Sequence, residues 1–341
     1  MPRVERFQGS PPEWDAFAKQ QTGFTHFHLH GWKLVIERVF GHECLYLAAW
    51  DDSGCLTGVL PLVRVKSLLF GHYLVSLPFL NYGGPLGGKP AVLALTAEAV
   101  RLAVEGGVKL LQFRSRIPLP IDLPVSHRKI TVVRDLPGPG EQLFQTLPSK
   151  LRNQVRRPQK EGVEVHFGAD QVTPFFEVFS HHMRDLGTPT QPRRLFGTIA
   201  EVFGESVWFG CAWLKGRPIA GGAGFTWDHE FEMTWASSLN QYSKVAPNMG
   251  LYWAFMERAA AAGLKVFNFG RCSPGSGTHK FKLQWGSRDQ PLYWYQHAAG
   301  GGTAATPSPD DGAYAWGPRL WKRLPVPLAT VLGPGIVKYL P

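Results

Sequence analysis

A basic tract, residues 150–160, is the densest group of side chains that could bind an anion. Its cations are Lys150, Arg152, Arg156, Arg157 and Lys160, with no acidic residue among them. Arg152 and Arg156 are four residues apart, so on a helix they share one face and pair two guanidinium groups in an arrangement suited to phosphate. Pro158 is expected to kink or end this helix near Arg157. We therefore assign Arg152 and Arg156 to binding a phosphate-bearing donor; a solvated helix face is the alternative.

A second group of cations lies in a segment rich in glycine and serine, residues 270–286. Arg271 stands near its start, and Lys280 and Lys282 precede the bulky Trp285. Such a segment could close over a substrate, and a cation in it could stabilise negative charge on a leaving oxygen or phosphate. We rank Lys282 first and Lys280 second as catalytic residues, with Arg271 in donor binding. Ordinary exposed lysines are the alternative.

Polar residues follow a predicted strand over residues 230–237. Ser237 and Asn240 are candidate catalytic contacts, although polar residues at strand ends often satisfy only backbone groups. Asn248 lies at a predicted helix start, where free N–H groups attract an anion, so Asn248 and its neighbour Met249 are assigned to donor binding. Simple helix capping is the alternative for Asn248.

A rigid turn, Leu-Gly-Thr-Pro, could line a pocket for the second substrate. Arg184, Asp185 and Thr188 surround this turn, and Trp235 and Tyr242 flank the polar residues at the strand end. We assign these five residues to the acceptor site. A plain turn is the alternative for the first three.

The sequence lacks the residue spacings that mark several common metal, catalytic and nucleotide-binding sites. His26, His28 and His30 alternate but run into a helical stretch without an acidic partner cluster, so no metal site is expected. Neither a G-x-S-x-G elbow nor a Walker A loop is present. The four cysteines show no C-x-x-C spacing and are expected to be reduced; they are Cys44, Cys55, Cys211 and Cys272.

An internal repeat predicts how these residues are positioned. Two segments share the order strand, turn, strand, strand, helix, glycine stop, strand. The first copy has strands at 45–50, 56–65, 74–77 and 108–113, with a helix at 91–105. The second has strands at 207–214, 219–226, 230–237 and 264–269, with a helix at 248–262. Lys109 and Lys265 occupy equivalent places, as do Phe113 and Phe269.

The bulk properties agree with a folded protein that meets anionic partners. Hydrophobic residues make up 44% and charged residues 18% of 341, an ordinary globular composition in a chain long enough for two modules. The formal net charge of +10 favours a phosphate-bearing partner without identifying it. No signal peptide or long apolar run is evident, so the expected location is the cytoplasm, with the inner face of the membrane as an option.

Several stretches resemble the FemAB-like proteins associated with exopolysaccharide and exosortase systems. They are residues 148–162, Met-Arg-Asp-Leu-Gly-Thr-Pro at 183–189, Trp-Ala-Ser-Ser-Leu at 235–239, Pro-Asn-Met at 247–249, and 267–286. The resemblance implies an α/β (α+β) fold of two tandem GNAT-like modules, each a mixed, mostly antiparallel sheet flanked by helices. It also relates the chain to the BioF2-like acetyltransferase group.

The resemblance implies an acyltransferase that acts between the two strands on either side of the second repeated helix. The pattern Phe-Lys-x-x-aromatic-Gly at 281–286 resembles the place where related aminoacyl transferases keep a functional lysine. Neither a long coiled-coil arm for tRNA nor the usual GNAT pyrophosphate loop is present, so acyl-CoA and aminoacyl-tRNA both remain open as co-substrates. No tightly bound cofactor is expected. The proton acceptor is not assigned among Asp228, His229 and Glu232.

The predicted organisation has four parts: an N-terminal module at 1–140, a C-terminal module at 141–297, a flexible linker at 298–313 and a tail at 314–341. The tail mixes aromatic, basic and apolar residues, and its prolines break any long helix. We expect it to dock on the protein body, with an anionic membrane surface as the alternative.

The function expected from these observations is N-acyl transfer to an amine of a cell-envelope or exopolysaccharide precursor. The expected partners are a phosphate-bearing donor and an amine-bearing sugar or peptide precursor. An aminoacyl-tRNA-dependent transferase, with tRNA as a partner, and a non-catalytic precursor-binding protein are the alternatives.

Overall fold

The structure, a computed structural model, describes residues 2–67, 69–299 and 316–340. These residues group into two compact units. The first takes in residues 2–129, 291–299 and 338–340, and the second takes in 130–290 and 316–337. Each unit is built on one mixed sheet with helices against it, which agrees with the predicted fold class.

The first unit contains a mostly antiparallel sheet. In spatial order its strands are β1 (Arg3–Arg6), β2 (Glu43–Trp50), β3 (Leu56–Ser67), β4 (Gly71–Ser76), β6 (Leu110–Ser115), β15 (Tyr293–Ala298) and β7 (Val125–Ser126), with β5 (Leu86–Gly87) paired to β3. Its helices are α1 (Pro11–Lys19), α2 (Gly31–Phe40) and α3 (Lys89–Glu105). The strands β4 and β6 are parallel neighbours, since α3 connects them as a crossover.

The second unit repeats this plan. In spatial order its strands are β14 (Arg288–Pro291), β8 (Ile130–Asp135), β13 (Val266–Cys272), β12 (Glu230–Ser238), β11 (Arg217–Trp227), β10 (Val207–Leu214) and β9 (Glu164–Phe167). Its helices are α4 (Glu141–Gln145), α5 (Ser149–Lys160), α6 (Val172–Leu186), α7 (Arg193–Phe203), α8 (Pro247–Ala261), α9 (Gly277–Leu283), α10 (Trp316–Trp321) and α11 (Val326–Val337). Here β12 and β13 are the parallel neighbours, and α8 connects them.

The repeat inferred from the sequence is visible in equivalent backbone hydrogen bonds of the two units. The N–H of Lys109 donates to His72 O at 2.8 Å, and the N–H of Lys265 donates to His229 O at 2.8 Å. Each bond begins the pairing of a parallel strand with its neighbour. Lys109 and Lys265 are therefore equivalent positions in the two units.

The observed units differ from the predicted module boundaries at both ends of the second module. The strand β8 lies within the stretch assigned to the first module, yet it pairs with β13. The strand β15 lies within the stretch assigned to the second module, yet it pairs with β6 and β7. Such pairing joins segments far apart in sequence, which local patterns do not reveal. The predicted linker at 298–313 falls outside the described residues from residue 300 onward.

Pro158 is expected to kink or end the helix near Arg157, but it does not end it there, because α5 continues to Lys160. Pro158 has no N–H to donate within the helix, and only two residues of α5 follow it, so the lost hydrogen bond falls in the last turn. Its ring packs against Gly250 of α8, where an added Cβ would lie 3.1 Å from Pro158 Cβ. The absence of a side chain at Gly250 thus lets α5 and α8 approach closely.

Candidate functional site

The strands β12 and β13 part after three residue pairs. They pair from Glu230 to Glu232 against Val266 to Asn268, and both continue beyond that point without pairing to each other. Along its other edge β12 stays paired with β11 to its end. The sheet therefore opens before Ser237 is reached, between the two strands that the family resemblance indicated, and β12 N–H groups that face away from β11 point into the opening.

A β-bulge on each bordering strand accompanies this parting. On β12, Thr234 is the extra residue, because Met233 and Trp235 oppose consecutive residues of β11. Gly224 lies opposite the bulge, and a Cβ there would clash with the Glu232 carbonyl. On β13 the register against β8 shifts between Asn268 and Arg271. Bulges bend a strand and increase its twist, so these two help to separate β12 from β13.

A buried polar network lies where the strands separate. The Asn268 amide donates to Glu230 Oε1 at 2.7 Å and to Glu232 Oε2 at 3.4 Å. Asn268 Oδ1 in turn accepts from Thr131 Oγ1 at 2.6 Å and from the N–H of Gly270 at 2.8 Å. Asn268 thus holds β12, β8 and its own strand together at the base of the opening.

Lys282 lies against the β13 side of the opening. It projects from α9 and is 3% exposed. Its Nζ donates to the carbonyls of Gly270 at 2.6 Å and Arg271 at 3.1 Å. Burial lowers the pKa of Lys282 to about 8, while the charge of Glu232 opposes this shift. An ammonium group has three N–H bonds, and two of those on Lys282 donate to carbonyls of the described residues and fix its position.

His182 lies on α6 near the outer end of β12. The Ser238 backbone hydrogen-bonds the ring, and Nδ1 is buried with no hydrogen-bond partner among the described residues. Burial lowers the pKa of His182 against the opposing effects of the Ser238 contact and the Asp185 charge. The imidazole is therefore neutral at pH 7.

His182 is not among the site residues predicted from the sequence. The helix α6 buries Phe175 and Phe179, and His182 continues that stripe one turn later. A polar residue at a buried position of an amphipathic helix was the available signal.

The residues assigned to donor binding lie in different environments. Arg152 Nη1 donates to Gln145 Oε1 at 2.6 Å, and the Arg156 guanidinium lies 4.7 Å from the centre of the Phe144 ring, so both contact α4. Asn248 Nδ2 donates to Ser238 Oγ at 2.9 Å, which joins the start of α8 to the end of β12. Met249 is buried in the core, while Lys280, assigned to catalysis, is exposed on α9.

Two residues from different predicted groups meet at the end of β12. Asn240 Nδ2 donates to Asp185 Oδ2 at 3.4 Å. Arg184 donates through Nε to Asp185 at 2.8 Å and through Nη1 to Leu324 O at 2.9 Å. Asp185 therefore links α6 to the turn after β12.

The other acceptor residues pack against apolar surroundings or turn backbone. The Trp235 ring makes an edge contact with Phe196, with ring centres 5.4 Å apart. Tyr242 packs against the apolar core, and the N–H of Thr188 donates to Met183 O at 3.0 Å. The structure thus brings Ser237, Asn240, Asn248 and His182 to the end of β12 and leaves Arg152, Arg156 and Lys280 outside this group.

The corresponding place in the first unit is filled by the chain itself. Beyond Val75, Ser76 Oγ accepts from the N–H of Arg114 at 2.9 Å. The N–H groups of Gly83 and Gly84 donate to Arg114 O at 3.0 and 2.9 Å. The loop after β4 therefore occupies the edge of β6 that would face an opening.

Two cavities lie away from the parted strands. One, of about 630 Å³, lies in the first unit between the end of α3 and β15, beside Ala103 and His297. The other, of about 520 Å³, lies in the second unit beside Trp208 and Arg258. Neither contains the buried lysine or the polar network, so geometry rather than cavity size identifies the parted strands as the candidate site.

Comparisons with known proteins agree with this geometry. Residues 149–283 match the family model described as acetyltransferase (GNAT) domain. No curated protein sequence matches the chain.

Several solved structures share the fold. FemX has a TM-score of 0.66 at 14% identity, covering 85% of this chain and 97% of that one. L-PGS from Bacillus licheniformis has a TM-score of 0.54 at 12% identity, covering 97% of each chain. A tandem GNAT protein from the clavulanic acid biosynthesis pathway has a TM-score of 0.52 at 12% identity, covering 85% of this chain and 93% of that one. Residues 149–283 therefore match a GNAT acetyltransferase domain model, and the chain shares its two-module fold with FemX and with a tandem GNAT protein.

Proposed function

We propose that the second module transfers an acyl or aminoacyl group to an amine of a cell-envelope or exopolysaccharide precursor. The observation that carries this proposal is the parting of β12 and β13, with Lys282 fixed on the β13 side. An opening of this kind admits an extended donor arm, whose amides can bond to the β12 backbone groups that face away from β11. The GNAT domain assignment supports acyl transfer as the reaction class.

The reaction is direct attack of the acceptor amine on the donor carbonyl. A bond forms between the amine nitrogen and the carbonyl carbon, and negative charge develops on the carbonyl oxygen. Backbone N–H groups of β12 that point into the opening stabilise this oxyanion, because they are already oriented and need no rearrangement. Collapse of the intermediate breaks the bond to the leaving sulfur or oxygen.

Lys282 protonates the leaving group. Two of its N–H bonds hold it to Gly270 O and Arg271 O, and the third donates to the departing thiolate or alkoxide. Because burial lowers its pKa to about 8, Lys282 is mostly protonated at pH 7 yet gives up its proton readily.

His182 accepts the proton that the amine loses. The ring is neutral at pH 7 because burial lowers its pKa, and buried Nδ1 has no partner among the described residues. It lies next to Ser238, at the end of the strand that borders the opening. We favour His182 over Glu232, whose carboxylate already accepts from Asn268. With Lys282 as acid and His182 as base, one proton enters and one leaves in each turnover.

The donor is a phosphate-bearing acyl carrier, either acyl-CoA or aminoacyl-tRNA. The basic tract at 150–160 on α5 and the net charge of +10 support a polyanionic donor. Likeness to FemX and L-PGS shows fold alone, so the envelope or exopolysaccharide acceptor rests on the sequence resemblance. Ser237, Asn240, Asn248 and Arg271 are proposed to contact the substrates around β12 and β13.

The test is to measure binding and transfer separately. Thermal stabilisation of the purified protein by acyl-CoA or by charged tRNA would identify the donor class, because a ligand that binds the folded state raises the unfolding temperature. Transfer to an amino sugar or a peptide amine is then followed by mass spectrometry of the product. Stabilisation together with product is the expected result. Donor or precursor binding with no product from any amine would overturn the enzymatic proposal and favour a precursor-binding role.

A further inference from the structure

The C-terminal helix α11 buries two small residues together with Val337 and exposes three larger apolar residues. Ala329 is 2% exposed and Gly333 is buried. On the other side of the helix Leu328, Val331 and Leu332 are 44%, 76% and 46% exposed. Apolar burial would favour the reverse orientation in a protein that meets only water. This arrangement therefore indicates that the outward face has a partner.

Close contacts hold α11 and the preceding helix in this orientation. A Cβ added at Gly333 would lie 2.8 Å from Thr190 N, so only glycine lets the two backbones approach. Arg184 Nη1 donates to Leu324 O at 2.9 Å, which fixes the turn between α10 and α11 to α6. The exposed apolar face is therefore held in place by the second unit.

Cations lie just before this apolar helix in the chain. Arg319, Lys322 and Arg323 are exposed on α10 and the turn after it, next to Leu320, which is 57% exposed. The sequence from 316 to 340 contains no aspartate or glutamate. A surface with this charge complements an anionic partner and repels a second copy of itself.

We propose that α10 and α11 dock the protein on a membrane surface that contains anionic lipid. The helix α11 is 12 residues long, about 18 Å, against a hydrocarbon core of about 30 Å, so it would lie in the plane of the interface. Leu320, Leu328, Val331 and Leu332 enter the boundary between headgroups and acyl chains. Arg319, Lys322 and Arg323 bind lipid phosphates. None of the described helices is both long and apolar enough to cross a membrane.

The experiment is co-sedimentation of the full chain with vesicles. Vesicles of phosphatidylcholine with phosphatidylglycerol are compared with vesicles of phosphatidylcholine alone, at low and at high salt. We expect binding to the anionic vesicles that weakens as salt rises. Lys322→Gln with Arg323→Gln is expected to weaken binding about 25-fold, at about fivefold for each cation. Val331→Asp with Leu332→Asp is expected to weaken it at least tenfold.

The matched control is Val104→Asp on α3, since Val104 is also an exposed apolar residue, at 67%. It should leave vesicle binding unchanged. Far-ultraviolet circular dichroism and the unfolding temperature check that each variant folds. Equal binding to neutral and anionic vesicles, no binding to either, or loss of binding in the Val104 variant alone would overturn the proposal. So would a concentration-dependent dimer, seen by light scattering, that the Val331/Leu332 variant abolishes while vesicle binding is absent.

Discussion

The two modules share one fold, but the gap between their two parallel strands is filled in the first module and open in the second. In the first, the register of β3 against β4 is continuous, and the loop from Leu77 to Gly84 returns to bond the edge of β6. In the second, Thr234 forms a bulge on β12 and the chain leads away from the gap. A bulge and the path of the following loop thus decide whether this fold has an open or a filled gap.

Each module also has a buried cation near this gap, and the two cations differ in what they bond. Arg114 of β6 donates to Gln112 Oε1 at 2.8 Å and to Leu80 O at 3.0 Å, so it bonds its own strand and the filling loop. Lys282 approaches β13 from a separate helix and bonds two carbonyls beside the open gap. The cation of the first module stabilises structure, and that of the second is available to chemistry. This difference supports our proposal that the second module is the catalytic one.

The largest expected effect is loss of activity in Lys282→Met. Removing the leaving-group acid should lower kcat/KM by about 10³-fold, within the range for general acid catalysis. Lys280→Met is the matched control, because it changes an exposed lysine on the same helix, and it should keep wild-type activity. The ratio of wild-type to Lys282→Met activity should also fall as pH rises through about 8, where Lys282 loses its proton. Equal losses in the two variants would contradict the assignment.

A second effect of the same residue concerns stability. Burial lowers the pKa of Lys282 from 10.5 to about 8, so between these values the unfolded chain binds more protons than the folded one. Folding stability therefore rises with pH in this window, and the penalty for burying the charge is fully present below pH 8. Denaturant unfolding should show wild type gaining about 3 kcal/mol over Lys282→Met between pH 8 and 10.5. A constant difference would show that Lys282 titrates normally.

A smaller loss of activity is expected for His182→Gln. Glutamine keeps polar atoms near the Ser238 backbone but accepts no proton, so kcat should fall by about 10²-fold. The pKa of His182 lies below its usual value, so the ratio of wild-type to variant activity should rise as pH increases through a point under 6.5. His181→Gln, on the same helix, is the control. A ratio that does not depend on pH would leave His182 with a positioning role only.

The internal repeat shows which features of the two modules could be predicted from the sequence. Alternation and glycine stops predicted the strand, helix and strand around α3 and around α8, each within three residues at either end. The equivalence of Lys109 and Lys265 is confirmed because each begins the parallel pairing in its unit. These features are local in sequence, and local propensity and hydrophobic period determine them.

The features that distinguish the modules depend on contacts between distant segments. Whether β8 pairs with β13 or with β6 is set by the assembled sheet edges and leaves no local pattern. One partner of Asn268 is Thr131, 137 residues away, and the Arg156 guanidinium lies over the Phe144 ring, a contact that the sequence did not predict. The sequence could place candidate side chains on elements but could not show which of them meet.

The smallest expected effect comes from a change to Arg114, which bonds the loop that fills the gap of the first module. Arg114 is 2% exposed and lies 4.5 Å from the centre of the Trp294 ring. In Arg114→Met the carbonyl of Leu80 loses a donor, so unfolding free energy should fall by about 2 kcal/mol while kcat keeps its wild-type value. Arg101→Met, at a surface ion pair on α3, is the control and should change the unfolding free energy much less, because the solvent screens an exposed ion pair. If Arg114→Met instead removed activity while the protein remained as stable as wild type, the first module would be taking part in the reaction. The open and filled gaps would then no longer separate catalysis from structure.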